Sequence, residues 1–238
     1  MLQKSGESIM DKKYWYIKRS DLFSTMSHEE MERLAGLSTM CEFKKGAVVY
    51  LPEESSDQVY LLKEGAIKIS RLGLDGDEII LDIVAPGEIF GEMALLGEDT
   101  RSSIAQAFEN SMICSIRKED FFAFFTAQKE LAFKVLKLVG LKRVEIETRL
   151  EELAYCSVHE RIASLLSRMA KRHGIKENGG IKIRPRLTHR DIAFLVGASR
   201  ETVTEQLNQM KAQGIIDTSF MSITVRDFDA LERLSRSR

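Results

Sequence analysis

Between Cys41 and Ile116 the sequence breaks into short apolar runs separated by turn signals every eight to twelve residues. The runs are Val48–Leu51, Val59–Leu62, Ile67–Ile69, Ile79–Ile83, Ile104–Ala107 and Met112–Ile116. They are too short for helices and suit strands. Lys45-Gly46, Glu64-Gly65, Leu74-Asp75-Gly76-Asp77 and Pro86-Gly87 punctuate them. Asp75-Gly76 between two such runs is a strong hairpin signal. Short strands at this spacing imply a small antiparallel barrel or sandwich.

A second constraint follows it. Lys118 to about Cys156 contains no proline and one glycine, Gly140, which reads as a long helix. Ala132, Leu136, Val139, Arg143, Ile146, Leu150 and Leu153 recur at alternating steps of four and three. Such a seam can pack against a copy of itself as a coiled coil, or along the chain's own domain. Arg143 is its polar exception; it either fixes register or reaches an anion.

Shorter elements flank these two regions. Ser27 and Glu30 have capping-box spacing before a short helix whose Met31, Leu34 and Ala35 share one face. After Ser157 come an amphipathic helix (Arg161–Arg172), a turn at 178–180, a short strand (Ile181–Ile183), two helices around Gly197-Ala198, a closing hairpin (Ile215-Ile216 with Ser222–Val225) and a terminal helix from about Phe228. The resulting expectation is an α+β chain in three parts: an N-terminal antiparallel β-roll over 1–117, a dimerisation helix over 118–156, and a C-terminal winged helix-turn-helix over 157–238.

Charge supports different partners for the two ends. Of 35 Lys+Arg and 36 Asp+Glu, residues 157–238 hold 15 and 9, leaving 20 and 27 to residues 1–156. A basic back end suits an anion such as DNA. No apolar stretch reaches the roughly 18 residues of a membrane span. Met1 to Lys13 lacks a signal-peptide core. Cys41, Cys114 and Cys156 are sparse and widely spaced, as reduced thiols in a cytosol are. Neither they nor His28, His159, His173 and His189 show metal-ligand spacing, so no metal, no covalent cofactor and a cytoplasmic location are expected.

The stretch Leu187 to Met210 carries the most specific signal. Thr188 can cap a first helix, with Asp191 at its third position. Ile192, Ala193 and Val196 make its inner face, and Gly197 suits the left-handed geometry that ends it. Ser199 can cap the second helix. Val203, Leu207 and Met210 make that helix's inner face, which leaves Arg200, Glu201, Thr204, Glu205 and Asn208 outward. Arg suits guanine and Glu can accept from cytosine, so these are candidate base contacts. Ser199, Thr188, Arg186 and Arg190, with Lys182 and Arg184, are candidate backbone contacts.

Gly197-Ala-Ser-Arg-Glu-Thr-Val resembles the recognition segment of the CRP/FNR family of bacterial regulators, of the catabolite-activator type. The resemblance covers nearly the whole chain and implies a homodimer on a palindromic double-stranded operator, with RNA polymerase a further partner. It places Arg200 and Glu201 on two base-reading positions. Where the type member carries a further arginine this chain has Glu205, which cannot donate to guanine; a related palindrome with one or two altered positions is expected.

Phe90 to Ile104 is similar to the phosphate-binding cassette of cyclic-nucleotide-binding domains. Gly91 permits close backbone approach. Met93 to Leu96, including Ala94, can form a helical turn facing an anion. Arg101 offers a planar charge and Ser102 a hydroxyl, and Glu92 can accept from a ribose hydroxyl. The resemblance implies that Gly91, Glu92, Arg101 and Ser102 hold cyclic AMP or another cyclic nucleotide. Arg143 on the long helix is a further candidate contact to the ligand's phosphate. The base-reading pair of the type member corresponds to Ile146 and Glu147, and Ile146 cannot hydrogen-bond a base. The cassette therefore has two readings: an effector site, or an architectural turn clasped by a Glu–Arg pair.

No clustered cysteines suit an iron–sulfur sensor, and Cys114 suits a buried apolar position better than a haem ligand. No catalytic triad, Walker loop or paired-carboxylate motif appears, so an enzyme is not expected.

Overall fold

The computed structural model describes residues 26–73, 76, 78–127, 129–177, 179–219 and 222–235. The expected hairpin residues Leu74, Asp75 and Asp77, the turn residue Asn178, the wing residues Phe220 and Met221, and Met1 to Lys13 lie outside them. The chain divides into two compact units. The first runs to Arg71 and resumes over Asp82–Leu141, and the second holds Leu72–Leu81 and Lys142–Arg238.

The first unit opens with helix α1 (His28–Leu37), closed at its start by a reciprocal Ser27–Glu30 capping box. Strands β1 (Thr39–Phe43), β2 (Val48–Tyr50), β3 (Gln58–Glu64), β4 (Ile67–Leu72), β5 (Glu78–Val84), β6 (Ile89–Phe90), β7 (Ile104–Ala107) and β8 (Ser111–Arg117) follow. They form two four-stranded sheets, ordered β1-β8-β3-β6 and β2-β7-β4-β5. The period of two explains how the sheets pack. Val59 and Leu61 on β3, with Cys114 and Ile116 on β8, bury against α1 and the helices after β8. Leu62 and Ile113 turn the other way, into an interior shared with Tyr50, Ile67, Phe90 and Ala105.

The expected single helix from Lys118 is two, α2 (Lys118–Ala127) and α3 (Lys129–Tyr155). Phe121 and Phe124 of α2 are buried in the core of the roll, as are Leu131 and Val135 at the start of α3. The seam residues Leu136, Ile146, Leu150 and Leu153 are instead exposed. Leu131 and Val135, beside the seam, bury the first turns of α3 on their own domain, and those seam residues themselves stay uncovered.

In the second unit α4 (Val158–His173) starts at a Ser157–Glu160 capping box and buries Ile162, Ala163, Leu165, Leu166 and Met169. Sheet β11-β12-β10-β9 joins β9 (Gly174–Glu177), β10 (Gly180–Ile183), β11 (Ile216–Ser219) and β12 (Ser222–Val225). Strand β9 has no counterpart in the sequence pattern, because all four of its residues are exposed and no apolar alternation marks it. Helices α5 (His189–Val196) and α6 (Arg200–Ala212) make the helix-turn-helix, and α7 (Phe228–Ser235) closes the unit against α4. Arg149 of α3 donates to the carbonyls of Leu81 and Ile80, at 2.5 and 3.1 Å, and to that of Leu195 in α5 at 3.3 Å. Glu152 accepts from Ser164 and Arg168 of α4, at 2.5 and 2.6 Å.

Candidate functional site: an anion cassette and a DNA-reading helix

In the first unit β6 delivers the chain to Gly91, whose φ of 70° is left-handed. A Cβ there would lie 2.8 Å from Arg101 Nη1 and 3.1 Å from Tyr60 Cδ2, so the left-handed conformation favours glycine and a side chain would press on the Arg101 guanidinium. A 3₁₀ helix over Glu92–Leu96 follows, anchored by buried Ala94. Gly97, also left-handed, ends it by donating to Met93 O. Met93 is exposed and Glu92 half-buried. The expected turn has formed.

The main chain of Arg101 is pinned on both sides: its N–H donates to Glu54 O and its carbonyl accepts from Glu53 N–H, each at 2.8 Å. Its side chain is only 3% exposed. The guanidinium lies 4.6 Å from the Tyr50 ring centroid and 5.5 Å from that of Tyr60, and donates to Gly91 O at 3.0 Å and to Gln58 O. Tyr50, Tyr60 and Phe90 stack on one another at 5.0 to 6.4 Å. Burial pushes the Tyr50 hydroxyl up to about 12, against the lowering effects of a Ser103 hydrogen bond and the Arg101 charge. The expected partner of an anion is thus folded into the protein. The solvent side of the cassette holds Ser102, exposed and accepting from Arg71 Nη2 at 2.8 Å. No local pattern marks Arg71 or the aromatic lining; in the sequence Tyr50 and Tyr60 are only apolar members of strand runs.

In the second unit, Thr188 caps α5 reciprocally with Asp191, Gly197 is left-handed at φ 63°, and Ser199 caps α6 by accepting from Thr202 N–H. The hydroxyls of Thr188 and Ser199 therefore serve the helix ends. Arg200, Glu201, Glu205 and Asn208 are exposed along α6. The Thr204 hydroxyl donates to Arg200 O at 2.9 Å and meets His189 Nδ1 at 2.7 Å. Arg186 and Arg190 are exposed, Arg190 over the Phe194 ring at 5.2 Å. Lys182 pairs with Glu177 at 3.3 Å. Arg226 ties the wing, donating to Gly179 O and Asp217; its hydrogen bond holds the Asp217 carboxyl below the usual carboxylate range. Arg143 pairs with Glu147 one turn along α3, at 2.8 Å.

Residues 40–128 match the cyclic nucleotide-binding domain family and residues 160–234 the Crp-like helix-turn-helix domain. The chain is 27% identical over 220 residues to the CRP-like cAMP-activated global transcriptional regulator of Mycobacterium tuberculosis, covering 92% of this chain and 98% of that one. It is 30% identical over 186 residues to the global nitrogen regulator of Synechococcus elongatus, covering 77% and 84%. The solved structure of a CRP/FNR-family transcriptional regulator from Thermus thermophilus superposes with a TM-score of 0.70 at 26% identity, covering 84% of this chain and all of that one.

The chain belongs to the CRP/FNR family of transcription regulators.

CRP/FNR proteins are regulators and not enzymes; they bind DNA through the helix-turn-helix and act as dimers. The cassette lies within the cyclic nucleotide-binding match, and α5 and α6 within the Crp-like match. Among the described residues no helix is long and apolar enough to cross a membrane.

Proposed function

We propose that this CRP/FNR protein is a cytoplasmic homodimer that binds a palindromic operator, contacts RNA polymerase there, and is switched by a small anionic effector in the β-roll, with cyclic AMP the first to test. The observation that carries the effector is the cassette itself: a left-handed Gly91, a 3₁₀ turn, and the Arg101–Ser102 pair beside Arg71. Its donors suit an oxyanion, and a cyclic phosphodiester is one. The M. tuberculosis relative is described as cAMP-activated. The ligand supplies a negative charge and the groups its ring displays. The protein supplies the donors of Arg71, Ser102 and the cassette, and the Glu92 carboxylate as an acceptor.

The exposed seam of Leu136, Ile146, Leu150 and Leu153 supports pairing with a second copy through α3. Two recognition helices must then stand about 34 Å apart to fit successive major grooves. In this scheme effector binding changes that spacing, with Arg143 a candidate contact, and a ligand shifts the equilibrium only by its differential affinity for the two states.

A second reading is favoured by Arg101, whose two terminal guanidinium nitrogens bond main-chain carbonyls without any ligand. It makes the cassette architectural and leaves control to the amount of protein. One titration separates the two. Purified protein is bound to duplex DNA carrying a selected palindrome, with and without cyclic AMP, at several salt concentrations. A steep fall with salt establishes phosphate contacts. An affinity that rises with cyclic AMP supports the switch, and one indifferent to cyclic AMP rejects it as the effector.

A further inference from the structure

The second unit holds a cavity that neither the cassette nor the helix-turn-helix uses. It encloses about 380 Å³ between the end of α3, α4 and α7. Sites for small molecules begin at about 300 Å³. Thr148, on its α3 side, stands two residues from Ile146 and two from Leu150, about 200° around the helix from each. The cavity therefore lies on the flank of α3 opposite the exposed seam.

Its lining carries four carboxylates, Glu151, Glu152, Glu160 and Glu232, against two cations, Arg168 and Lys171. Each cation already has a carboxylate: Arg168 meets Glu152 at 2.6 Å, and Lys171 meets Glu232 at 2.5 Å. Glu160 accepts from the N–H and the hydroxyl of Ser157, both at 2.7 Å, but has no cation there. Glu151 is exposed, with neither an ion pair nor a hydrogen bond to any described residue. Two negative charges on the lining are thus unmatched by cations.

An excess of carboxylate alone describes much ordinary surface. Ser167 sets this cavity apart. It lines the cavity, is only 6% exposed, and its hydroxyl bonds to no described residue. Ser164, three residues earlier on α4, is fully engaged, bonded to both Glu152 and Arg168. Buried hydroxyls ordinarily find a partner. The Ser167 hydroxyl keeps its donor and its acceptor lone pairs for a group inside the cavity.

We propose that this cavity binds a small organic cation carrying two amino or guanidino groups. Glu151 takes one cationic group at the exposed edge, and the Ser167 hydroxyl accepts an N–H on the buried side. Two positive charges balance the two unmatched carboxylates. An anion meets a lining of net negative charge. A metal ion fits no better, since among the described residues no group of His, Cys, Asp and Glu side chains could hold one. The site is independent of the cassette and of its effector.

Cys156, a half-buried free thiol on the lining, supplies a reporter. The test uses the full chain carrying Cys41→Ser, which leaves Cys156 as the accessible thiol because Cys114 is buried. The probes are putrescine, agmatine and spermidine, with magnesium chloride at matched ionic strength as the control. DNA is left out, because its phosphates attract polycations. Calorimetry reads affinity, and the rate of alkylation by iodoacetamide reads occupancy. At least one probe is expected to bind, and at ten times its Kd to slow alkylation about 10-fold, in proportion to the cavities left empty. Glu151→Gln and Ser167→Ala are each expected to weaken that probe about 10-fold, the scale of one charge-assisted hydrogen bond. If Ser167→Ala lowers the unfolding temperature, Glu151→Gln, a change at an exposed side chain, decides. Wild type that binds none of the three probes overturns the site. So does a Glu151→Gln protein that binds as wild type does, or magnesium that slows alkylation as much as the organic cation.

Discussion

The guanidinium of Arg101 lies over the ring of Tyr50, 4.6 Å from its centroid, inside the roll and not at its mouth. The same guanidinium donates to Gly91 O and Gln58 O, joining the start of the cassette to β3. Cutting it to Ala would strand two carbonyl acceptors with little room for water. Each stranded group costs about 1–3 kcal/mol. Arg101→Ala is expected to lower stability by about 3 kcal/mol, a drop in unfolding temperature of about 6–12 °C in a chain of this size. A thermal melt by circular dichroism measures it, and an unchanged melting temperature would contradict the clasp.

Tyr50 links the same cluster to pH. Its hydroxyl is pushed from 10.0 to about 12, chiefly by burial, so the folded state holds the proton more tightly than the unfolded chain. The stabilisation is therefore fully present below about pH 10 and is lost as pH rises toward 12. Two pKa units correspond to about 2.7 kcal/mol. Denaturant titrations at pH 9 and pH 11.5 should show stability falling in wild type and falling less in Tyr50→Phe. Absorbance near 295 nm should show delayed tyrosine ionisation, part of it removed in Tyr50→Phe, since burial raises Tyr60 as well.

Glu152 and Arg168 fasten the end of α3 to α4 through a contact 2.6 Å long, with Ser164 bonded to both. Both side chains are largely buried, at 13% and 26% exposure. Removing one partner leaves a poorly solvated charge, whereas replacing both with apolar side chains of similar volume does not. Arg168→Ala should cost about 1–3 kcal/mol. The double change Glu152→Leu with Arg168→Met should recover most of it in a double-mutant cycle. Additive losses from the two single changes would show that the contact carries no coupling.

Period and punctuation carried most of the fold. Strand runs, turn glycines, the caps at Ser27, Thr188 and Ser199, and the inner faces of α5 and α6 are local features, and each is found where the sequence placed it. What the sequence did not reveal depends on which way a side chain turns. Arg101 and Arg71 are both arginines near a serine, and only tertiary packing buries one and exposes the other. Thr204 meets the ring of His189, fifteen residues away, a pairing that no local pattern marks. Strand β9 is exposed throughout, so no apolar pattern could mark it.

The exposed face of α6 sets the remaining prediction. Arg200 leads the helix from the Ser199 cap, and Glu201 and Glu205 follow it, all three exposed. Arg can take guanine O6 and N7 together, whereas Glu only accepts and so suits the cytosine amine. A helix entering the major groove by its N-terminus brings position 200 to the bases first. Arg200→Ala should therefore cost about 1–3 kcal/mol on the selected operator and relax preference at one base pair. Glu205→Arg should act differently, moving preference toward guanine at the base pair it faces while adding affinity on every sequence through charge. Arg190→Ala touches no base in this scheme; it should weaken all sites alike and reduce the salt slope by about one. Selection of bound sequences from a random duplex pool, repeated for the three variants, reads all of this at once. If Glu205→Arg selects the same palindrome as wild type, residue 205 does not read DNA, and specificity must come from Arg200, Glu201 or the shape of the duplex.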